Sequence, residues 1–332
     1  MVVAYPTDRT SLLIRGVWLL LTIDNFTVSY GRHRVLDNIS LELPQAAVGL
    51  LGPNGAGKST LIKAILGLLK PESGNGRFLQ FELGKNDKRI RQYVGYMPES
   101  ECLIPGFSAV QYVSYVAQLN GMGRREAFKR AHKVLYLVGL GEARYRNLDT
   151  YSTGMKQRLK LAQAIVHDPH LIFLDEPTNG LDPDGREEML DLIREIARIE
   201  NRCIILSSHL MRDVERCTEY LVIMDQQKIK CSGYIKELCA GQAHRYRLRV
   251  NRDHKQAAEI LRGKGLTVDH VSEREPNFEV MLDGGIHARD LFRHLTDAGI
   301  QIRQLIPRNY TVEEIYRKHV HINANAGEAN GI

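Results

Sequence analysis

Three short apolar runs punctuate the chain, and each is closed by polar chemistry. VGLL at 48–51 opens into a glycine-rich loop, LIFL at 171–174 into two acids, and CIIL at 203–206 into Ser-Ser-His. Runs this short, unbroken by polar positions, predict buried strands of one sheet. The stretch TLIKAILGLL after the first loop has helical spacing. AVQYVSYVAQL and REAFKRAHKVLYLVGL also place apolar residues at i, i+3 and i+4, so the region between Glu99 and Tyr151 predicts a helical subdomain.

Beyond Gly241 the pattern changes. HRYRLRV, LTVDHV, FEVML and IQIRQLI read as strands, with HKQAAEILRGKG and HARDLFRHLTDAG as helices between them. That order, βαββαβ, predicts a small ferredoxin-like α+β domain followed by a terminal helix, TVEEIYRKHV. The tail HINANAGEANGI has no apolar pattern and is expected to be disordered. At the other end, Leu12 to Ile23 is apolar but interrupted by Arg15 and Gly16. It is shorter than the roughly 20 apolar residues of a membrane span, and it lacks the basic region and cleavage site of a signal peptide. It is expected to run into a first strand, with a membrane-surface anchor as the alternative. No other stretch could cross a bilayer.

Composition refines this only slightly. The 332 residues, 43% hydrophobic and 25% charged, leave room for one large domain and a small one. The formal net charge of +6 is spread along the chain, so no nucleic-acid arm stands out. Five cysteines show no CxxC pair and no metal spacing, which fits reduced thiols better than a disulfide framework.

The chemistry sits where the apolar runs end. Gly52, Pro53, Asn54, Gly55, Ala56, Gly57, Lys58, Ser59 and Thr60 form G-x-x-x-x-G-K-S between a strand and a helix, the setting of a phosphate-binding P-loop. Glycines let backbone N–H groups turn in around phosphates. Lys58 is placed for the β- and γ-phosphates, Ser59 for Mg²⁺, and the helix start adds its partial positive charge. Asp175, at the end of LIFLD, is expected to hold Mg²⁺ through its water shell, and Glu176 to polarise a water for attack on the γ-phosphate.

Five stretches, in this order, resemble the ABC superfamily of ATP-binding cassettes: GPNGAGKST, GYMPE, YSTGMKQR, LIFLDEPTNGLDP and Ser207-Ser208-His209. The resemblance covers about residues 22–240. It implies an α/β fold: a P-loop NTPase cassette with a RecA-like core, a β-subdomain and a helical subdomain at about 100–160. Residues 1–21 would be an N-terminal extension, 241–320 a regulatory or accessory domain and 321–332 a flexible tail. The family pattern implies that Tyr30 stacks on adenine, that Asp182 belongs to a loop crossing a dimer interface, and that His209 contacts the γ-phosphate. By the same pattern, Ser152 and Gly154 complete the nucleotide site of a second subunit. A docking face for a membrane subunit is expected near Ile104, Phe107 and Tyr112.

Two positions depart from the family. Glu99 stands where a Gln that can contact Mg²⁺ is usual, adding a negative charge near the metal. Tyr151-Ser152-Thr153-Gly154-Met155 stands where Leu-Ser-Gly-Gly-Gln is usual, and Thr153 puts a Cβ where backbone freedom is expected. What the resemblance implies is the ATPase subunit of an ABC transporter. It would use ATP and Mg²⁺, pair as a homodimer or with another cassette, drive a separate membrane permease from its cytoplasmic side, and act in export. A non-transport ABC ATPase working on ribosomes or DNA is the alternative; such proteins join two cassettes or insert a coiled coil. A small-molecule kinase would need neither the 151–158 loop nor His209.

Overall fold

The structure, a computed structural model, describes residues 13–14, 17–199, 202–240, 245–251, 253–269, 271, 277–282, 288–308 and 311–320. The chain divides into two units, Met1–Ile235 with His319–Ile332, and Lys236–Lys318.

The first unit opens with β1 (Leu13–Ile14), β2 (Val17–Tyr30) and β3 (His33–Pro44). β4 (Ala47–Leu51) and α1 (Lys58–Ile65) flank the glycine-rich loop. β5 (Ser73–Phe78), β6 (Phe81–Glu82) and α2 (Asp87–Tyr93) then lead to β7 (Val94–Met97). Three helices follow, α3 (Ala109–Leu119), α4 (Arg124–Leu137) and α5 (Thr153–Ile165). β8 (Leu171–Asp175), α6 (Pro183–Ile199), β9 (Cys203–Ser208), α7 (Met211–Cys217), β10 (Tyr220–Asp225) and β11 (Lys228–Tyr234) complete the unit.

The central sheet has the order β11-β10-β4-β9-β8-β7. Its strands run parallel except β11, which pairs antiparallel with β10. Every residue of β8 and β9 is buried. Their unbroken apolar runs are two interleaved faces, because successive strand side chains point to opposite sides. Ile172, Leu174, Ile204 and Leu206 pack into a cluster with α3, α4 and α5. Leu171, Phe173, Cys203 and Ile205 pack with α1 and with β2 and β3 of the second, antiparallel sheet. Ala117, Ala127 and Ala131, all fully buried, let α3 and α4 approach closely. Ser108 and Gln111 form a capping box that fixes where α3 begins.

Several sequence expectations shift. β2 starts at Val17, so residues 17–21 belong to the antiparallel sheet rather than to an extension ending at 21. Leu20, Leu21 and Ile23 are core residues there, while Leu12 and the side chains of residues 13–18 lie outside the described residues. α1 stops at Ile65 instead of reaching Leu69. Gly67 takes φ +67°, and the Leu68 and Leu69 N–H groups turn back to the Lys63 carbonyl, which ends the helix. Tyr112 is not a surface residue: its ring is buried in the helical cluster and its hydroxyl donates to Gln163 Oε1 and to the Cys102 carbonyl. Ile104 and Phe107 remain half-buried against that cluster. The expected tail, 321–332, and residues 1–12 lie outside the described residues.

In the second unit α8 (Ile235–Ala240), which begins at the division, precedes β12 (Arg245–Val250) and α9 (His254–Gly263). β13 (Thr267–Asp269), β14 (Asn277–Met281), α10 (Ala288–Thr296), β15 (Ile302–Pro307) and α11 (Val312–His319) follow. The sheet is antiparallel in the order β13-β14-β12-β15. Leu248, Val250, Phe278 and Val280 pack against Ala257 and Leu261 of α9 and Leu291 and Leu295 of α10. The second predicted strand is only Thr267–Asp269, shorter than the LTVDHV run. On β14, buried Glu279 faces three guanidinium groups, Arg308 at 2.9 Å, Arg245 at 3.0 Å and Arg247 at 3.2 Å.

Removing one member of a buried ion group leaves the others uncompensated. Glu279→Ala is therefore expected to destabilise the second unit by about 3–5 kcal/mol. Hydrogen exchange in the full chain checks it: amides of β12 and β14 should lose protection, and unchanged protection contradicts the expectation.

Candidate nucleotide-binding and hydrolysis site

Strand register decides which loops meet. Leu51 of β4 lies opposite Ser208 of β9, Ser207 opposite Asp175 of β8, and Leu174 opposite Met97 of β7. The carboxyl ends of all four strands therefore form one edge, where open parallel sheets bind ligands. The segments leaving that edge carry residues 52–60, His209, Glu176 and Glu99.

The glycine-rich loop is built for close approach. A Cβ at Gly52 would run into the Met224 carbonyl oxygen. Gly57 takes φ +102°, and a Cβ there would lie 2.8 Å from Leu36 Cδ2 and 2.9 Å from the Val35 oxygen. No side chain caps α1 and no acid sits in its first turn, so its leading N–H groups point at the loop without a side-chain acceptor. The Ala56 N–H closes the turn onto Pro53, while Asn54 and Gly55 are exposed. Lys58, beside buried Thr60, is itself buried. Its Nζ donates to the Gly52 carbonyl at 2.6 Å and the Pro53 carbonyl at 3.4 Å, and lies 3.5 Å from Glu176 Oε1.

Two adjacent carboxylates end β8, Asp175 at 2% and Glu176 at 5% exposure. Ser207 Oγ donates to Asp175 Oδ1 at 2.5 Å, and the Tyr96 hydroxyl donates to Oδ2 at 3.5 Å. Burial and the Asp175 charge push the Tyr96 phenol up, which keeps its proton in place for that bond. Glu176 takes φ +49°, an unusual conformation for a residue with a Cβ. Its N–H is held by both Ser207 oxygens, and its Oε2 lies 2.9 Å from His209 Nδ1. Oε1 accepts no hydrogen bond among the described residues although it is buried. The site thus brings Lys58, Asp175, Glu176 and His209 into one constellation. Ser207 and Tyr96 join it as orienting groups. The Ser-Ser-His stretch pointed toward Ser207, but only strand pairing shows which acid it serves.

Among the described residues no group of three or more His, Cys, Asp or Glu could hold a metal by itself. The donors at hand, the Ser59 hydroxyl and the Asp175 carboxylate, are hard oxygen ligands that suit Mg²⁺ shared with phosphates. Glu99 offers a further carboxylate; its Oε1 accepts from Asn179 Nδ2 at 3.3 Å.

The remaining expected residues lie apart from the phosphate cradle. Tyr30 ends β2 beside a tight turn at Gly31, with 47% of its surface exposed. Ser152 caps α5, its Oγ accepting from the Met155 N–H at 3.3 Å, with Gly154 in the first turn. Asp182 caps α6 through the Gly185 N–H at 3.3 Å. Among the described residues no hydrogen bond or ion pair joins these caps to the P-loop. Thr153 is an ordinary first residue of α5 and carries no left-handed strain. Its methyl lies beside Gly180, whose φ is +76°.

Residues 36–179 match the family described as ABC transporter. An uncharacterised ABC transporter ATP-binding protein of Bacillus subtilis, YxlF, is 32% identical over 91% of this chain and 100% of its own length. The chain belongs to the ABC transporter ATP-binding protein family. The linearmycin resistance ATP-binding protein LnrL of Bacillus subtilis is 35% identical over 67% of this chain and 71% of its own. In fold, this ABC ATPase resembles a dimeric, post-hydrolysis ATP-binding cassette, MJ0796, solved with ADP and phosphate. The TM-score is 0.60 at 23% identity, covering 64% of this chain and 98% of that one. The chain is thus an ATP-binding subunit of the ABC transporter family and an ATPase.

Within this ABC ATPase, Ser207→Ala strips a buried carboxylate of its shortest donor. A stability loss of about 1–3 kcal/mol is expected. Urea denaturation of the full chain measures it, and a wild-type midpoint would show that Asp175 does not depend on Ser207.

Proposed function

We propose that two copies of this chain, or this chain and a second cassette, close head-to-tail around two ATP–Mg²⁺ units and drive a separate membrane permease. The observation that carries this reading is the N-terminus of α5. It presents Ser152 and Gly154 without engaging its own P-loop, so a γ-phosphate bound by a partner is what it suits. The dimeric state of the cassette it resembles in fold supports the same arrangement.

In this reading Tyr30 stacks on adenine. The α1 N-terminus and Gly52 to Thr60 wrap the phosphates, and Lys58 exchanges the Gly52 and Pro53 carbonyls for phosphate oxygens, a stronger charge-assisted bond. Ser59, Asp175 and Glu99 would hold Mg²⁺, which when bound offsets the charge of the β- and γ-phosphates. Glu176 Oε1, which lies 3.5 Å from the Lys58 ammonium and accepts no hydrogen bond among the described residues, takes a proton from a water whose oxygen attacks the γ-phosphorus. The bond to the bridging oxygen breaks, leaving ADP and phosphate. His209 holds Oε2 of the same carboxylate and aims it. Asp182 faces the second subunit across the interface.

Among the described residues no helix is long and apolar enough to cross a membrane. In this reading, which the family membership supports, work on a membrane passes through the permease, with the subunit peripheral on the cytoplasmic face. The export direction rests on the resistance function named for LnrL. Residues 236–318 form a unit of their own that we assign to regulation or dimer support.

Glu176→Gln keeps the shape but loses the base. Turnover is expected to fall by about 10²–10⁴-fold, with an ATP-bound dimer accumulating on gel filtration; wild-type turnover would remove Glu176 from this role. Ser152→Arg should abolish ATP-driven dimerisation while the monomer still binds ATP. A variant that still dimerises would show that the loop does not reach the partner site.

A further inference from the structure

Lys160 takes no part in the mechanism above, yet it is only 4% exposed. Its Nζ donates to the backbone carbonyl of Glu99 at 2.8 Å. One turn earlier on the same face of α5, buried Gln157 donates from Nε2 to the Asn179 carbonyl at 2.9 Å. Asn179 Nδ2 in turn donates to Glu99 Oε1 at 3.3 Å, which closes a ring through α5, the segment after β7 and the loop after Glu176. A backbone carbonyl orients an ammonium group but does not neutralise it, so a buried lysine needs acids nearby. Burial lowers the Lys160 pKa, and the nearby Cys102, Glu99, Asp175 and Glu101 offset that only in part, so its hydrogen bond to the Glu99 carbonyl is what holds the ammonium in place.

We propose that Lys160 and Gln157 form a positioning clamp that sets Glu99 and Asn179 at the nucleotide site through the two backbone carbonyls they hold. The proposal rests on the ATPase reading above and deepens it. The clamp sits on the helix whose first turn carries Ser152 and Gly154. A partner's phosphate that draws in that N-terminus therefore moves Glu99 and Asn179 of the same subunit with it. Lys160 and Gln157 touch no reacting atom; they act through the residues they hold.

The test uses the purified full chain with a fluorescent ATP analogue for binding and phosphate release for turnover. Lys160→Met should lower kcat about tenfold while nucleotide affinity stays within about twofold. Lys160→Arg, which keeps the charge, should recover most of the turnover. Without nucleotide, hydrogen exchange at residues 99–101 and 179–182 should quicken in Lys160→Met. Wild-type kcat in Lys160→Met overturns the clamp. If Lys160→Met does not fold, Gln157→Ala reads the other jaw: exchange at 179–182 should quicken, and unchanged exchange overturns the proposal. A wild-type chain that hydrolyses no ATP would instead sink the ATPase reading.

Discussion

Two neighbouring carboxylates buried at the end of one strand are the constraint around which the first unit is arranged. Asp175 and Glu176 cannot lose water together unless donors replace it. Those donors come from both flanking strands and from the P-loop: Ser207 on β9, Tyr96 on β7, Lys58 at the start of α1, and His209 just past β9. Meeting that demand ties β7, β8 and β9 to one register at their carboxyl ends. The same register gathers the loops that handle phosphate. Local strain at Glu176 is part of the arrangement, since its left-handed backbone is held by two bonds from one N–H to Ser207.

α5 is the second organising element, because its length serves three different neighbours. Its N-terminus offers capping groups outward, and its middle turn grips the segments at 99 and 179. Its last turn lies directly on β7, where Gly95 leaves no Cβ to meet the Ala164 carbonyl. A helix fixed at its far end and holding active-site segments at its centre can carry a displacement from one end of the molecule's site to the other.

The second unit solves a different problem with similar physics. One face of its sheet is covered by α9 and α10 through Leu248, Phe278, Val280 and Leu261. Arg245, Arg247 and Arg308 converge on Glu279, and Glu314 of α11 lies 3.6 Å from Arg308. These charges pair with one another inside the unit.

Much of this protein was legible in its sequence. The apolar runs at 48–51, 171–174 and 203–206 gave the buried strands, because burial on both faces needs an unbroken run. The glycines and Lys58 predicted a loop of close backbone approach, and Gly52 and Gly57 do leave no room for a Cβ there. The alternation beyond Gly241 gave the element order of the second unit, although β13 came out shorter than its run. Tertiary structure decided the rest. Local spacing could not show that Tyr112 turns inward, that residues 17–21 pair into a sheet, that Ser207 serves Asp175, or that Lys160 answers Glu99. Those partners lie tens of residues apart, and only the pairing of strands and the packing of α5 brings them within hydrogen-bonding distance. A periodic pattern tells a side chain which face it occupies. Which partner it meets there is settled by the strand order β4-β9-β8-β7 and by the helix laid across it.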